Sequence, residues 1–144
     1  MIEAAAVQGQ TKRATHYLHP AQWRVSNTPL EVTTILGTCV SVCLFDSKGL
    51  GGLNHYLLPK WVGTPPGVAR YGDVAIELLV ENLISLGAQK KDLRAKVFGG
   101  MQGAMRSEAR DLGRDNATEA FRLLELHRIP VLAQDVVNNL AGRA

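Results

Sequence analysis

The sequence predicts an α+β fold: a mixed β-sheet sandwich with two main helices packed on one side. Three observations carry that prediction. Apolar segments at residues 31–36, which is rich in β-branched residues, 39–45 and 51–58 follow one another, with Gly37 interrupting the first two and the turn signal Asp46-Ser47-Lys48-Gly49 before the third, the pattern of neighbouring strands. Two stretches of helical periodicity come next, over about residues 74–86 and 115–127, with apolar positions at i, i+3 and i+4. Short apolar runs at 93–98 and 129–133 alternate with those helices. Strands, helix, strand, helix, strand is an order that gives each helix a sheet face to cover. A chain of 144 residues suits one domain with one core.

The elements are expected as follows. Residues 1–16 are polar and lack periodicity, so they read as a flexible N-terminal tail, with residues 17–144 as the single domain. Trp23-Arg24-Val25 alternates and is a short strand candidate, stopped by Ser26-Asn27-Thr28-Pro29. The strand at 31–36 is interrupted by Gly37. Val40, Val42 and Leu44 then share one strand face, with Cys39, Ser41, Cys43 and Phe45 on the other. Asp46-Ser47-Lys48-Gly49 is a hairpin turn signal. The returning strand, 51–58, is closed by Pro59 and puts Leu53, His55 and Leu57 on one face. A loop follows over 60–72, and Asp73 is a suitable N-cap. Ala75, Ile76, Leu79, Val80, Leu83 and Ile84 form the apolar stripe of the first helix, and Gly87 is its C′ stop. The strand at 93–98 ends at Gly99-Gly100. In the second helix Ala117, Ala120, Phe121 and Leu124 face inward.

Composition removes several function classes. The net charge of +3 is scattered, with Arg106, Arg110, Arg114 and Arg122 interleaved with Glu108, Asp111, Asp115 and Glu119. This is a mixed solvated face without the basic block and aromatics of a nucleic-acid binder. No apolar run approaches the ~18–20 residues of a membrane span, and the N-terminus shows no signal-peptide core. Cys39 and Cys43, on one strand, stand about 13 Å apart, beyond the roughly 4.4–6.8 Å that a disulfide spans. Free thiols and a cytoplasmic location are therefore expected.

The chemistry concentrates on Cys39 and His55. Cys39 follows Gly37-Thr38 at a strand break, where a side chain reaches a cleft and backbone N–H groups can converge on an oxyanion. Most free cysteines are small core residues, and Cys43, between Val42 and Leu44, reads as one of these. A thiol ionises with help, and His55 is the histidine within an apolar segment close to it. Thr33 or Thr34 could accept the second ring N–H, as the third member of a triad does; spacing leaves that choice open. Gly99-Gly100-Met101-Gln102-Gly103 lacks the Gly-Lys-Ser/Thr ending of a phosphate loop, so it reads as a place of close backbone approach. No metal is expected, because the cysteine spacing is not that of a zinc site and a fourth ligand is missing. No cofactor is expected either.

Thr33-Thr34-Ile35-Leu36-Gly37-Thr38-Cys39-Val40-Ser41-Val42-Cys43-Leu44 and Gly51-Gly52-Leu53-Asn54-His55-Tyr56-Leu57-Leu58-Pro59 together resemble the CheD family, the chemoreceptor glutamine deamidases of bacterial chemotaxis. Tyr17-Leu18-His19-Pro20, Arg70-Tyr71-Gly72-Asp73, Val97-Phe98-Gly99-Gly100 and Asn116 extend the resemblance over about residues 17–135. It implies α/β/β layers, with Cys39 as nucleophile, His55 as general base and acid, and Thr33, six positions before the cysteine, as the third member of the triad. It implies a protein-glutamine deamidase acting on methyl-accepting chemotaxis receptors through a cysteine thioester, with methylesterase action on receptor glutamyl esters as a side activity. The family often pairs with CheC-type phosphatases. In two places the chain departs from the family pattern. Ala21 follows His19-Pro20 where the family commonly has glycine, and Val136-Val137-Asn138-Asn139 stands where a glycine pair is usual. The second departure motivates an alternative: a weakly catalytic or non-catalytic regulatory module that binds a CheC-type phosphatase. A thiol esterase on small substrates is a third reading.

Overall fold

A computed structural model describes residues 2–6, 14–64, 67–102 and 111–136. Eight strands and two α-helices occur among them: β1 (Ile2–Ala6), β2 (Ala14–Tyr17), β3 (Trp23–Ser26), β4 (Leu30–Leu36), β5 (Val40–Phe45), β6 (Gly51–Asn54), α1 (Gly72–Ser85), β7 (Arg94–Gly99), α2 (Leu112–Leu126) and β8 (Val131–Val136). The strands form two sheets, one of five in the order β3-β6-β5-β7-β8 and one of three in the order β1-β4-β2. The α+β class is as expected, and the layers are helices, large sheet, small sheet.

Each layer follows from strand alternation. Val40, Val42 and Leu44 turn one face of β5 toward α1 and α2, where they pack with Ile76, Leu79, Ala117 and Leu124. The opposite face carries Cys43, which with Leu53 meets Leu18, Leu30 and Val32 of the small sheet. Burial alternates along β4, with Leu30, Val32, Thr34 and Leu36 buried and Glu31 and Thr33 half-exposed. No helix among the described residues is long and apolar enough to cross a membrane.

Several expectations need correction. The segment expected as a tail supplies two strands: β1 runs antiparallel to β4 and β2 runs parallel to it. Their backbone groups satisfy both edges of β4, a long-range demand that a local polarity pattern does not display. The strand expected over 51–58 ends at Asn54, after which Tyr56 and Leu58 make only isolated bridges. Asp73 is not the cap of α1. Tyr71 occupies that position, while the Asp73 carboxylate accepts from the Trp61 and Val74 N–H groups. The second helix begins earlier than expected, at Leu112, because Asp111 caps it by accepting the Arg114 N–H at 3.1 Å. Ile84 is exposed rather than part of the core stripe. Gly87 is the C′ residue of α1, as expected, with a φ of 115°. The sequence 137–144, where the family's glycine pair is replaced, lies outside the described residues.

Candidate active site

Cys39 and His55 are brought together by the β5–β6 register. Val40 and Tyr56 exchange both backbone hydrogen bonds, at 3.1 and 3.0 Å. Cys39 and His55 are then diagonal neighbours, roughly 7–8 Å apart at Cα, on the face turned to the small sheet. The β5–β6 ladder ends at the Cys43–Leu53 pair, and the Asn54 carboxamide oxygen accepts the Val42 N–H at 2.9 Å. His55 therefore lies just past the end of β6. Its backbone is held from the other side, where its N–H donates to the Gln22 carbonyl at 3.1 Å and its carbonyl accepts from Ala21 at 2.8 Å. Ala21 makes that bond with a φ of 69°, in the left-handed region that favours glycine.

The loop before Cys39 is clamped by the Gly99-Gly100 turn. The Cys39 carbonyl accepts from Gly100 N–H and the Gly37 carbonyl from Met101 N–H, both at 2.9 Å. A Cβ on Gly99, whose φ is 105°, would run into the Cys39 carbonyl. The glycine pair thus serves close backbone approach.

Of the two threonines, Thr34 rather than Thr33 is the one within hydrogen-bond distance of the His55 ring. Thr34 Oγ1 lies 2.8 Å from His55 Nδ1 in the buried space between the sheets. Thr33 is on the opposite face of β4, half-exposed, and its carbonyl accepts from Leu18 N–H at 2.8 Å. The reason is the period of two in a strand: a choice off by one residue places the hydroxyl on the wrong side. The signal was present in β4 itself, since Leu30, Val32 and Leu36 mark the buried parity, and Thr34 shares it.

The Thr34 contact also settles the imidazole tautomer. The threonine hydroxyl has one proton, and it donates that proton to the Leu18 carbonyl at 2.7 Å. Toward the ring it can then only accept, so Nδ1 carries the hydrogen and Nε2 keeps its lone pair. His55 is 3% exposed, and Nε2 has no hydrogen-bond partner among the described residues. Burial holds the imidazole pKa below its ordinary value. Burial likewise pushes the Cys39 thiol up, opposed by a hydrogen bond from its own backbone N–H. The resting pair is consequently a neutral thiol and a neutral base. Cys43 is buried and pushed up to about 11 by loss of solvent, which makes it an inert core thiol. Both cysteines are free.

Asn116 is the residue whose placement spacing could not reveal. From α2 its carboxamide nitrogen donates to the Thr38 carbonyl at 3.0 Å and to the Leu57 carbonyl at 2.8 Å. Tyr56 is fully buried, and its hydroxyl donates to the Asn116 carbonyl at 2.6 Å.

Residues 57–143 match the family described as CheD chemotactic sensory transduction. A protein of Anaeromyxobacter dehalogenans named probable chemoreceptor glutamine deamidase CheD 1 is 46% identical over 140 residues, which covers 92% of this chain and 81% of that protein. A Trichlorobacter lovleyi protein named probable chemoreceptor glutamine deamidase CheD is 42% identical over 123 residues, covering 84% of this chain and 76% of its own. One from Sulfurimonas denitrificans with the same name is 37% identical over 123 residues, covering 83% and 79%.

Proposed function

This chain belongs to the CheD family, and on that premise we propose that it deamidates glutamine side chains of methyl-accepting chemoreceptors to glutamate. The observation that carries the proposal is the free Nε2 of a histidine whose tautomer Thr34 fixes. His55 Nε2 takes the Cys39 thiol proton as sulfur attacks the glutamine carboxamide carbon. The tetrahedral intermediate collapses, the imidazolium returns its proton to the departing nitrogen, and ammonia leaves. Water then gives a proton to Nε2 and attacks the thioester. The carboxylic acid is released and ionises to the carboxylate in water, and the proton on Nε2 goes back to sulfur. Thr34 replaces Thr33 as the orienting residue in this scheme.

The same acyl chemistry would release methanol from a glutamyl methyl ester. The relatives' names point to a receptor protein rather than a small ester as substrate. A chemoreceptor signalling domain as substrate would place the chain in the cytoplasm. A CheC-type phosphatase is the further partner that family membership suggests, and co-purification with such a protein from the same genome tests it.

The deciding experiment incubates the protein with a cytoplasmic receptor fragment. Ammonia release should accompany the mass gain of amide-to-acid exchange at specific glutamines. Both should vanish in Cys39→Ala and in His55→Ala. Ammonia release that persists in Cys39→Ala would overturn the proposal.

A further inference from the structure

The carbonyls of residues 37, 38 and 39 are all held by groups outside the loop. Gly37 and Cys39 are held by the N–H groups of Met101 and Gly100. Thr38 is held by the Asn116 carboxamide. A trans peptide is planar, so a carbonyl fixed in one direction fixes the N–H of the next residue in the opposite one. The Thr38 carbonyl points to the helix layer, where α2 lies. The Cys39 N–H of the same peptide therefore points away from α2, toward the side that bears the thiol. It lies against that thiol. The Thr38 N–H is set in the same manner by the clamp on Gly37.

The second hydrogen of the Asn116 carboxamide goes to Leu57, two residues past His55. One fully buried side chain thus holds the nucleophile's segment and the base's segment to the same point on α2. Both donors face carbonyl oxygens, which fixes the amide orientation, because the flipped amide would set oxygen against oxygen.

From this geometry we propose that Asn116 is a positioning residue. It aims the Cys39 N–H, together with that of Thr38, at the oxyanion formed when Cys39 attacks a carbonyl. It also locks the Cys39 and His55 segments in register. The role is one of electrostatic preorganisation: the donors stand ready before charge develops.

The kinetic arm of the test rests on the deamidase reading, and a second arm does not. Asn116→Ala and the nearly isosteric Asn116→Asp are compared with Leu123→Ala, a buried core change on the same helix. Ammonia release from the receptor fragment is measured for all three, well below their melting temperatures. The expected result is a fall of about 10²-fold in kcat for the Asn116 variants with KM little changed, and a kcat near wild type for Leu123→Ala. In the second arm the rate of iodoacetamide alkylation at Cys39 is followed against pH by mass spectrometry. The rise in rate should shift to higher pH in the Asn116 variants and stay in place in Leu123→Ala. Near-wild-type kcat in Asn116→Ala, or a loss matched by Leu123→Ala, overturns the inference. Should Asn116→Ala fail to fold, Asn116→Asp carries the same comparison. Should the wild type itself release no ammonia, the deamidase reading falls, and an unshifted alkylation profile then overturns this inference independently.

Discussion

At Thr34 one hydroxyl decides which ring nitrogen of His55 carries the hydrogen. Its proton is committed to the Leu18 carbonyl, so the oxygen is left as an acceptor for Nδ1–H. Replacing Thr34 with Val keeps the shape and removes that acceptor. A buried N–H without a partner costs about 1–3 kcal/mol, and the ring can lower that cost by moving its hydrogen to Nε2. Nε2 then loses the lone pair that the proposed mechanism uses. Thr34→Val is expected to reduce kcat by roughly 10²-fold, the lower end of what a positioned general base contributes. Thr33→Val, on the other face of the strand, should leave kcat near wild type and stability within about 0.5 kcal/mol. Ammonia-release kinetics and a melting curve on the two variants check the pair, and the reverse order would reinstate Thr33. Protonation is predicted at the same scale. Burial lowers the His55 pKa and raises that of Cys39, so His55 is neutral and the thiol protonated through neutral pH. The acid limb of kcat/KM should lie below about pH 6.5, the ordinary histidine value. Cys39 in the free enzyme should alkylate slowly at neutral pH, because a neutral pair holds little thiolate. Rapid alkylation at pH 6 would mean a thiolate–imidazolium pair instead.

Two helices end in the same way with different residues, and the difference is measurable. After α1, Gly87 N–H donates to Ile84 and Ala88 N–H to Leu83. After α2, Arg128 N–H donates to Glu125 and Ile129 N–H to Leu124. Both are Schellman caps, and both need a left-handed residue at C′. Gly87 adopts it freely, whereas Arg128 has a φ of 59°. A side chain in that region costs roughly 1–2 kcal/mol, and part of any gain on changing to glycine is lost to the looser unfolded chain. Arg128→Gly should therefore stabilise the protein by up to about 1 kcal/mol, read as a melting temperature roughly 2–4 °C higher. Ala21→Gly should act in the same direction at the turn that holds the His55 carbonyl. Caps of this kind were legible when the residue agreed with its conformation, as at Gly87, and illegible when it did not, as at Arg128. The apolar stripe of α1 and the two faces of β5 were legible because periodicity is local. Both β1 and the 78-residue separation between Thr38 and Asn116 were not, because nothing near either partner records the other. Thr34 lies between these cases: the parity of β4 marked it, and the count back from Cys39 pointed to its neighbour.

The site draws on every layer of the molecule. The small sheet supplies Thr34, the large sheet carries Cys39 and His55, and the helix layer supplies Asn116. On the proposed mechanism relative layer positions become catalytic geometry, and the two interlayer cores should matter differently. The inter-sheet core is the smaller, built on Leu18, Leu30, Val32, Cys43 and Leu53. It fixes the distance between Thr34 and the imidazole, and Leu18 also provides the carbonyl that commits the threonine proton. The core under the helices is larger, with Leu79 fully buried within it. Leu18→Ala and Leu79→Ala each remove a fully buried leucine, and each should cost about 2–5 kcal/mol of stability. The surrounding structure relaxes only partially into such a void. Leu79→Ala should accordingly lower the melting temperature and leave kcat little changed at temperatures where the fold is intact. In Leu18→Ala the small sheet can settle toward the void, so the Thr34 hydroxyl moves against His55. Its kcat should fall several-fold further than that of Leu79→Ala at equal fraction folded, and its acid limb should move, because the imidazole has a changed partner. Equal kcat and equal pH profiles for the two variants would show that the small sheet only covers the site and does not set it.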